Sequence, residues 1–266
     1  MRMMIAIFCM FFVLMFAHAC VARPARVIAH RGASGYAPEN TMASFRMAYE
    51  MTADMVELDV YVSVDGTIGV MHDDTVDRTT DGTGRIEDMT LEQIQKLDAG
   101  VKFDAKFKGE RIPTLDEVLA WAAGKIGVNI EIKGAGCEPG VVELVRKYNM
   151  ADKVIVSSFH HEYLAKIREL APEIPTGALI DDVEDPEAVI DACHPDAINP
   201  RYMKLSKKQV KQAHELGLKV NVYTVNDAAT MRMMLQMGAD GIITNYPDVL
   251  AGIVDKKKKE KEKSKE

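Results

Sequence analysis

Cysteine is scarce in this chain of 266 residues: Cys9, Cys20, Cys137 and Cys193 are all it holds. Cys9 lies in an N-terminal apolar segment and is lost if that segment is removed. Three cysteines would then remain, an odd number for an exported protein. Spacing alone does not bring Cys137 to Cys193, and two buried free thiols is the simpler expectation. A membrane span is missing as well, because the uncharged apolar run from Met3 to Ala17 has fifteen residues, short of the roughly 20 that cross a bilayer. There is no internal repeat beyond the alternation described below, and no linker divides the chain. The formal net charge is −7, and the eleven residues 256–266 hold seven Lys and three Glu, leaving 26 basic and 37 acidic residues before them, net −11. An acidic body without a basic stripe excludes nucleic acid as a partner.

The two ends read as additions to a single domain. Arg2, the apolar run and the small-x-small site Ala17-His18-Ala19 make residues 1–19 a signal peptide, so export to a periplasm or the medium is expected. Cys20 follows directly and resembles a lipoprotein processing box, with Ala17 where leucine is usual; membrane contact is expected only if Cys20 is lipidated. The lysine and glutamate run over 255–266 lacks apolar residues and is expected to be a disordered, solubilising end. The seventeen methionines are mostly core filler or belong to the leader.

Between the ends, strand-like runs alternate with helix-like ones. Strands are expected at 26–30, 55–61, 128–132, 154–157, 176–180, 197–199, 219–224 and 241–244. Seven helical stretches fall between them, at 41–51, 115–123, 140–148, 161–170, 186–193, 207–216 and 228–237. Eight parallel strands in such alternation form a closed (β/α)8 TIM barrel over 26–254. Ile68 to His72 is a hairpin extension of the second strand, and about 73–113 is an insertion over the mouth, with a short helix from Leu91 under a Thr90/Gln93 capping box. Thr114 with Glu117 opens the next helix in the same way.

Chemistry-bearing residues collect late in these strands, where barrel sites are built. Glu57 and Asp59 lie two apart in MVELDVYV, so the strand period puts both carboxylates on one face. Glu131 shares a face with Lys133 in GVNIEIK. Three carboxylates without thiolate or imidazole suit a hard cation, Ca2+ or Mg2+, rather than zinc. Asp65-Gly66 reads as a two-residue hairpin turn that would set His72 opposite Asp59. Arg31 and Lys133 are the positive groups for phosphate oxygens, one a bidentate fork, the other a point charge. His30 and His72 are candidates for proton transfer. Each feature alone has a plainer reading: a Glu-x-Asp strand is often an exposed face, and Lys133 beside Glu131 an ordinary ion pair. Thr41 is a helix N-cap, while Glu39 and Asn40 sit on the loop near His30 and could contact substrate.

The stretches HRGASGYAPENT from His30, ELDV from Glu57, DGTIGVMHDDTVDRTT from Asp65, EIK from Glu131 and DGIITNYP from Asp240 occur in this order. Together they resemble the glycerophosphodiester phosphodiesterase family over nearly everything between Arg26 and Val254. The resemblance implies metal-dependent hydrolysis of a small-molecule glycerophosphodiester to glycerol 3-phosphate and an alcohol. It implies His30 and His72 as general base and acid, in an order left open, and Glu57, Asp59 and Glu131 as metal ligands. Tyr223 in NVYTVN falls where the family more often has tryptophan, and suits an aromatic wall against substrate. The same residue set could serve a lysophospholipase D or sphingomyelinase D type activity, whereas a non-catalytic barrel module would have little reason to keep it.

Overall fold

Runs of Val and Ile such as RVIA and VIVSS have no polar alternation, the pattern of strands covered on both faces. In the computed structural model, which describes residues 25–181 and 186–263, such runs become the staves of a barrel. Residues 1–19 and Cys20, with the export and lipidation readings placed on them, lie outside the described residues. In chain order the elements are β1 (Arg26–Ala29), α1 (Met42–Glu50), β2 (Met55–Val62), β3 (Ile68–Val70), α2 (Leu91–Ile94), α3 (Leu115–Ala122), β4 (Gly127–Ile132), α4 (Glu138–Lys147), β5 (Val154–Ser158), α5 (His161–Leu170), β6 (Thr176–Ile180), α6 (Pro186–Cys193), β7 (Ala197–Pro200), α7 (Lys207–Glu215), β8 (Lys219–Val222), α8 (Ala228–Met237), β9 (Gly241–Thr244) and α9 (Pro247–Lys263). Eight parallel strands run in the order β1-β9-β8-β7-β6-β5-β4-β2, and β1 also pairs with β2, Ile28 opposite Met55, which closes the sheet. The (β/α)8 barrel expected from the alternation is the fold.

Period-2 alternation sorts the strand residues between two cores. Val27, Val56, Leu58, Val128, Ile130 and Val156 join helix residues such as Phe45, Leu119 and Leu164 in the layer between sheet and helices. Ile28, Met55, Ile155 and Ile243 cluster separately, as inner fill. Buried polar strand residues share that interior, the Ser157 hydroxyl donating to Asn129 Oδ1 at 2.9 Å and Asn221 Nδ2 to Asn199 Oδ1 at 3.0 Å. Cys137 and Cys193 are buried free thiols, as expected. Among the described residues no helix is long and apolar enough to cross a membrane.

Helix starts follow their caps. Thr90 with Gln93 and Thr114 with Glu117 form reciprocal capping boxes, and Thr41 caps α1 with Ser44 closing the box. The segment between β3 and α3 has a core of its own, Tyr61, Met71, Val76, Ile86, Ile94, Ala99 and Ile112, which seats it on the β2–β3 hairpin.

Two expectations are corrected. The β2–β3 register is Val60 opposite Val70 and Val62 opposite Ile68, with the Met71 amide donating to the Asp59 carbonyl at 3.0 Å. His72 is thus one residue out of the predicted register and does not face Asp59. The turn has three residues rather than two: the Ser63 amide donates to the Thr67 carbonyl (2.8 Å) and the Gly66 amide to the Ser63 carbonyl (3.0 Å). The Ser63 hydroxyl bonds Asp65 Oδ1 at 2.6 Å, and Gly66 takes φ +82°, the left-handed residue that such loops end on. The second correction is at the C-terminus, where α9 continues to Lys263 through the run expected to be disordered. Lysine and glutamate are good helix formers, and extending a helix already nucleated over Pro247–Val254 is far easier than starting one.

Candidate active site

The carboxylates are placed by strand pairing. Glu57 and Asp59 share a face of β2, and the parallel register sets Asp59 opposite Glu131 of β4. One oxygen from each of Glu57, Asp59 and Glu131 lies within 4.8 Å of the other two. Like charges this close repel by on the order of 3 kcal/mol per pair at an effective dielectric near 20. Burial, together with Asp59 and Glu131, pushes the Glu57 carboxyl well above the usual range. Burial and Asp59 push Glu131 up to about 7, against the pull of Lys133. Asp59 Oδ1 is buried without a hydrogen-bond partner. A buried lone carboxylate oxygen and a crowded acidic trio are what a bound cation relieves, and all-oxygen donors fit a hard divalent ion.

The β1–α1 loop wraps this trio. Arg31 takes φ +53° and Asn40 φ +58°, a conformation that side-chain-bearing residues adopt only when surroundings enforce it. Here that shape lets the Arg31 amide donate to Glu57 Oε2 at 2.7 Å, while Arg31 Nε lies 3.4 Å from Asp59 Oδ2. Asn40 Nδ2 donates to Asp59 Oδ2 at 2.9 Å. Gly32 between them has φ +79°, and a Cβ there would meet Ser44 Oγ at 2.4 Å, so the turn admits only glycine. Across the trio Lys133 Nζ donates to Glu131 Oε1 at 2.8 Å. Two cations thus flank three carboxylates, the layout for neutralising a phosphodiester's non-bridging oxygens.

The two histidines differ in setting. His30, just beyond β1, places Nδ1 2.7 Å from Asn245 Oδ1. The amide oxygen only accepts, so the proton sits on Nδ1 and Nε2 carries a lone pair. Burial and the Arg31 charge hold this imidazole down at about 4, against weaker pulls from Asn245, Asp59 and Glu39, so it is neutral near pH 7. His72 Nδ1 lies 2.6 Å from Asp73 Oδ1, and the hydrogen bond from Arg78 holds Asp73 at about 2, so its ionised carboxylate accepts that proton. Glu39 accepts from Arg31 Nη1 at 2.9 Å.

Tyr223, beyond β8, has its ring edge-on to Phe159 at 6.0 Å, with the Arg201 guanidinium 5.9 Å from its centroid. Its hydroxyl donates to the Ile180 carbonyl at 3.2 Å, which fixes the ring at the strand ends. Lys133 Nζ lies 5.9 Å from the Phe159 centroid, so this aromatic pair adjoins the charged cluster. The structure therefore gathers Arg31, Glu39, Glu57, Asp59, Glu131 and Lys133 directly. Five partners were not singled out from the sequence: Phe159 and Arg201 beside Tyr223, and Asn245, Asp73 and Arg78. The last three lie inside quoted motifs, NYP, MHDD and VDRTT, and only their contacts reveal them.

The sequence matches the glycerophosphoryl diester phosphodiesterase family over residues 30–249. A glycerophosphodiester phosphodiesterase of Caldanaerobacter subterraneus is 42% identical over 237 residues, covering 86% of this chain and 98% of its own. One from Bacillus subtilis is 37% identical, covering 84% of each. Among solved structures, an Oleispira antarctica phosphodiesterase in complex with the product sn-glycerol-3-phosphate superposes with TM-score 0.82 at 31% identity, over 86% of this chain and 96% of that one.

Proposed function

The chain belongs to the glycerophosphoryl diester phosphodiesterase family, and from that premise we propose how its own residues carry out the reaction. It hydrolyses glycerophosphodiesters to glycerol 3-phosphate and an alcohol. Glu57, Asp59 and Glu131 hold a divalent cation, Ca2+ or Mg2+. When bound, the ion offsets phosphoryl charge and polarises the P–O bonds toward attack.

Arg31 and Lys133 bind the non-bridging oxygens from either side of the carboxylates, and their charge counts for most as negative charge builds on the phosphoryl group. His30 removes a proton from the attacking oxygen through Nε2, a role supported by its neutral ring and the Asn245 bond that keeps Nδ1 protonated. His72 delivers a proton from Nε2 to the departing alkoxide. The ionised Asp73 at its Nδ1 supports that role by stabilising the charge the ring carries before transfer. Glu39 orients the Arg31 guanidinium, and Tyr223 with Phe159 forms an aromatic wall against the glycerol or head group.

The observation that carries this reading is the convergence of the three acids with a buried, partnerless Asp59 oxygen. Turnover is to be measured on a panel of glycerophosphodiesters after chelation and with each metal restored. Chelation is expected to abolish hydrolysis and Ca2+ or Mg2+ to return it; full activity in metal-free protein would remove the carboxylate assignment. The leader at 1–19 and its small-x-small site support export, which fractionation of expressing cells would check.

A further inference from the structure

His72 lies past the end of β3, on a stretch that the barrel's parallel ladder does not hold. Its Nδ1 partner is Asp73, and Asp73 in turn is gripped by one guanidinium. Arg78 Nε donates to Asp73 Oδ2 at 2.6 Å and its Nη2 to Asp73 Oδ1 at 3.2 Å. The same side chain donates from Nη1 to Glu39 Oε2 at 2.9 Å and from Nη2 to Glu39 Oε1 at 2.7 Å. Glu39 is already pinned by Arg31, which is bound through its amide to Glu57. A continuous chain of charge-assisted bonds therefore runs from the carboxylate cluster through Arg31, Glu39, Arg78 and Asp73 to His72.

We propose that Arg78 is a positioning residue: by clamping Asp73 to Glu39 it sets the aim of His72 relative to the phosphate-binding groups. The inference rests on the reading of His72 as a catalytic group. Only a planar fork with several donors can span two carboxylates at once. Without it Asp73 and Glu39 repel each other and the His72 ring follows Asp73 away, while Arg31 keeps its bonds to Glu57 and Glu39. The clamp acts on proton transfer, so its loss falls on kcat and leaves substrate binding almost untouched.

A double-mutant cycle on the full-length, metal-loaded protein tests this. Arg78→Met is expected to lower kcat by ~10- to 100-fold with KM changed less than ~3-fold, a split that general loosening of the fold would not give. Arg78→Lys, one ammonium in place of a fork, is expected to recover part of the rate. In a His72→Ala background, Arg78→Met should cost less than ~2-fold, because the group it aims is gone. Equal losses in both backgrounds, or no loss in the parent protein, would overturn the clamp alone. Near-normal turnover by His72→Ala would overturn the catalytic reading of His72 and the clamp with it. Arg78→Gln, which keeps a donor, carries the same cycle where the Met variant fails to fold.

Discussion

A histidine does not become a base by its identity; its neighbours choose the proton's position. For His30 the choice is made by Asn245, which contributes nothing else to the charge of the site. Replacing it with alanine frees Nδ1, so both tautomers and more ring orientations become populated. Asn245→Ala is therefore expected to reduce kcat by ~10-fold or more while the far-ultraviolet circular dichroism is unchanged, since a misoriented general base loses most of its typical 10²- to 10⁴-fold contribution. Unaltered turnover would detach Asn245 from the mechanism. The same lesson holds for the acids. Glu57, Asp59 and Glu131 were legible one by one as strand residues with carboxylates, but the raised proton affinity of Glu57 and Glu131 arises only where burial and mutual repulsion meet.

Among the elements, the β2–β3 hairpin and the β1–α1 loop show how turn geometry governs what faces the site. An Asp-Gly pair suggests a two-residue turn, yet the Ser63 hydroxyl, donating to Asp65 Oδ1 and accepting from the Thr67 amide, stabilises the three-residue form. One residue of difference in a hairpin moves side chains across the sheet, which is why His72 is partnered by Asp73 and not by Asp59. Two glycines separate backbone strain from crowding. Gly66 has φ +82° with nothing within 4 Å of a would-be Cβ, whereas Gly32 has φ +79° and meets Ser44 atoms at 2.4 to 2.7 Å. Gly66→Ala is expected to destabilise by about 1 kcal/mol, the conformational term alone. Gly32→Ala should cost roughly 3 kcal/mol as crowding adds to it, and should also disturb the Arg31 amide that holds Glu57. Denaturant unfolding of both variants checks the order; equal losses would show that the Ser44 contact relaxes freely.

For the molecule as a whole, the carboxylate trio is a local liability that the proposed cation would offset. Without metal, Glu131 in the folded state sits at about 7 against an ordinary 4.5. The folded protein then holds more protons than the unfolded one between those values, so metal-free stability falls as pH rises through that window. Bound metal replaces the proton. The rise in Tm on adding Ca2+ or Mg2+ to chelated protein is therefore expected to be several degrees larger at pH 8 than at pH 5, by differential scanning calorimetry. A rise independent of pH would mean that the metal binds elsewhere.

Local pattern settled a great deal in advance. Alternation of β-branched runs with amphipathic stretches dictated eight strands and a barrel, because burial periodicity is a property of short segments. Thr41, Thr90 and Thr114 marked helix starts, and the ordered motifs pointed to the acids, the two histidines and the cations as candidates, since each is carried by a few consecutive residues. Folding alone decided which of them touch. Arg31 to Glu57 spans 26 positions and His30 to Asn245 spans 215, and such contacts depend on barrel closure and on one turn's length. The tautomer of His30, the raised acids and the Arg78 bridge are consequences of those distances, and distance is what a linear pattern does not encode.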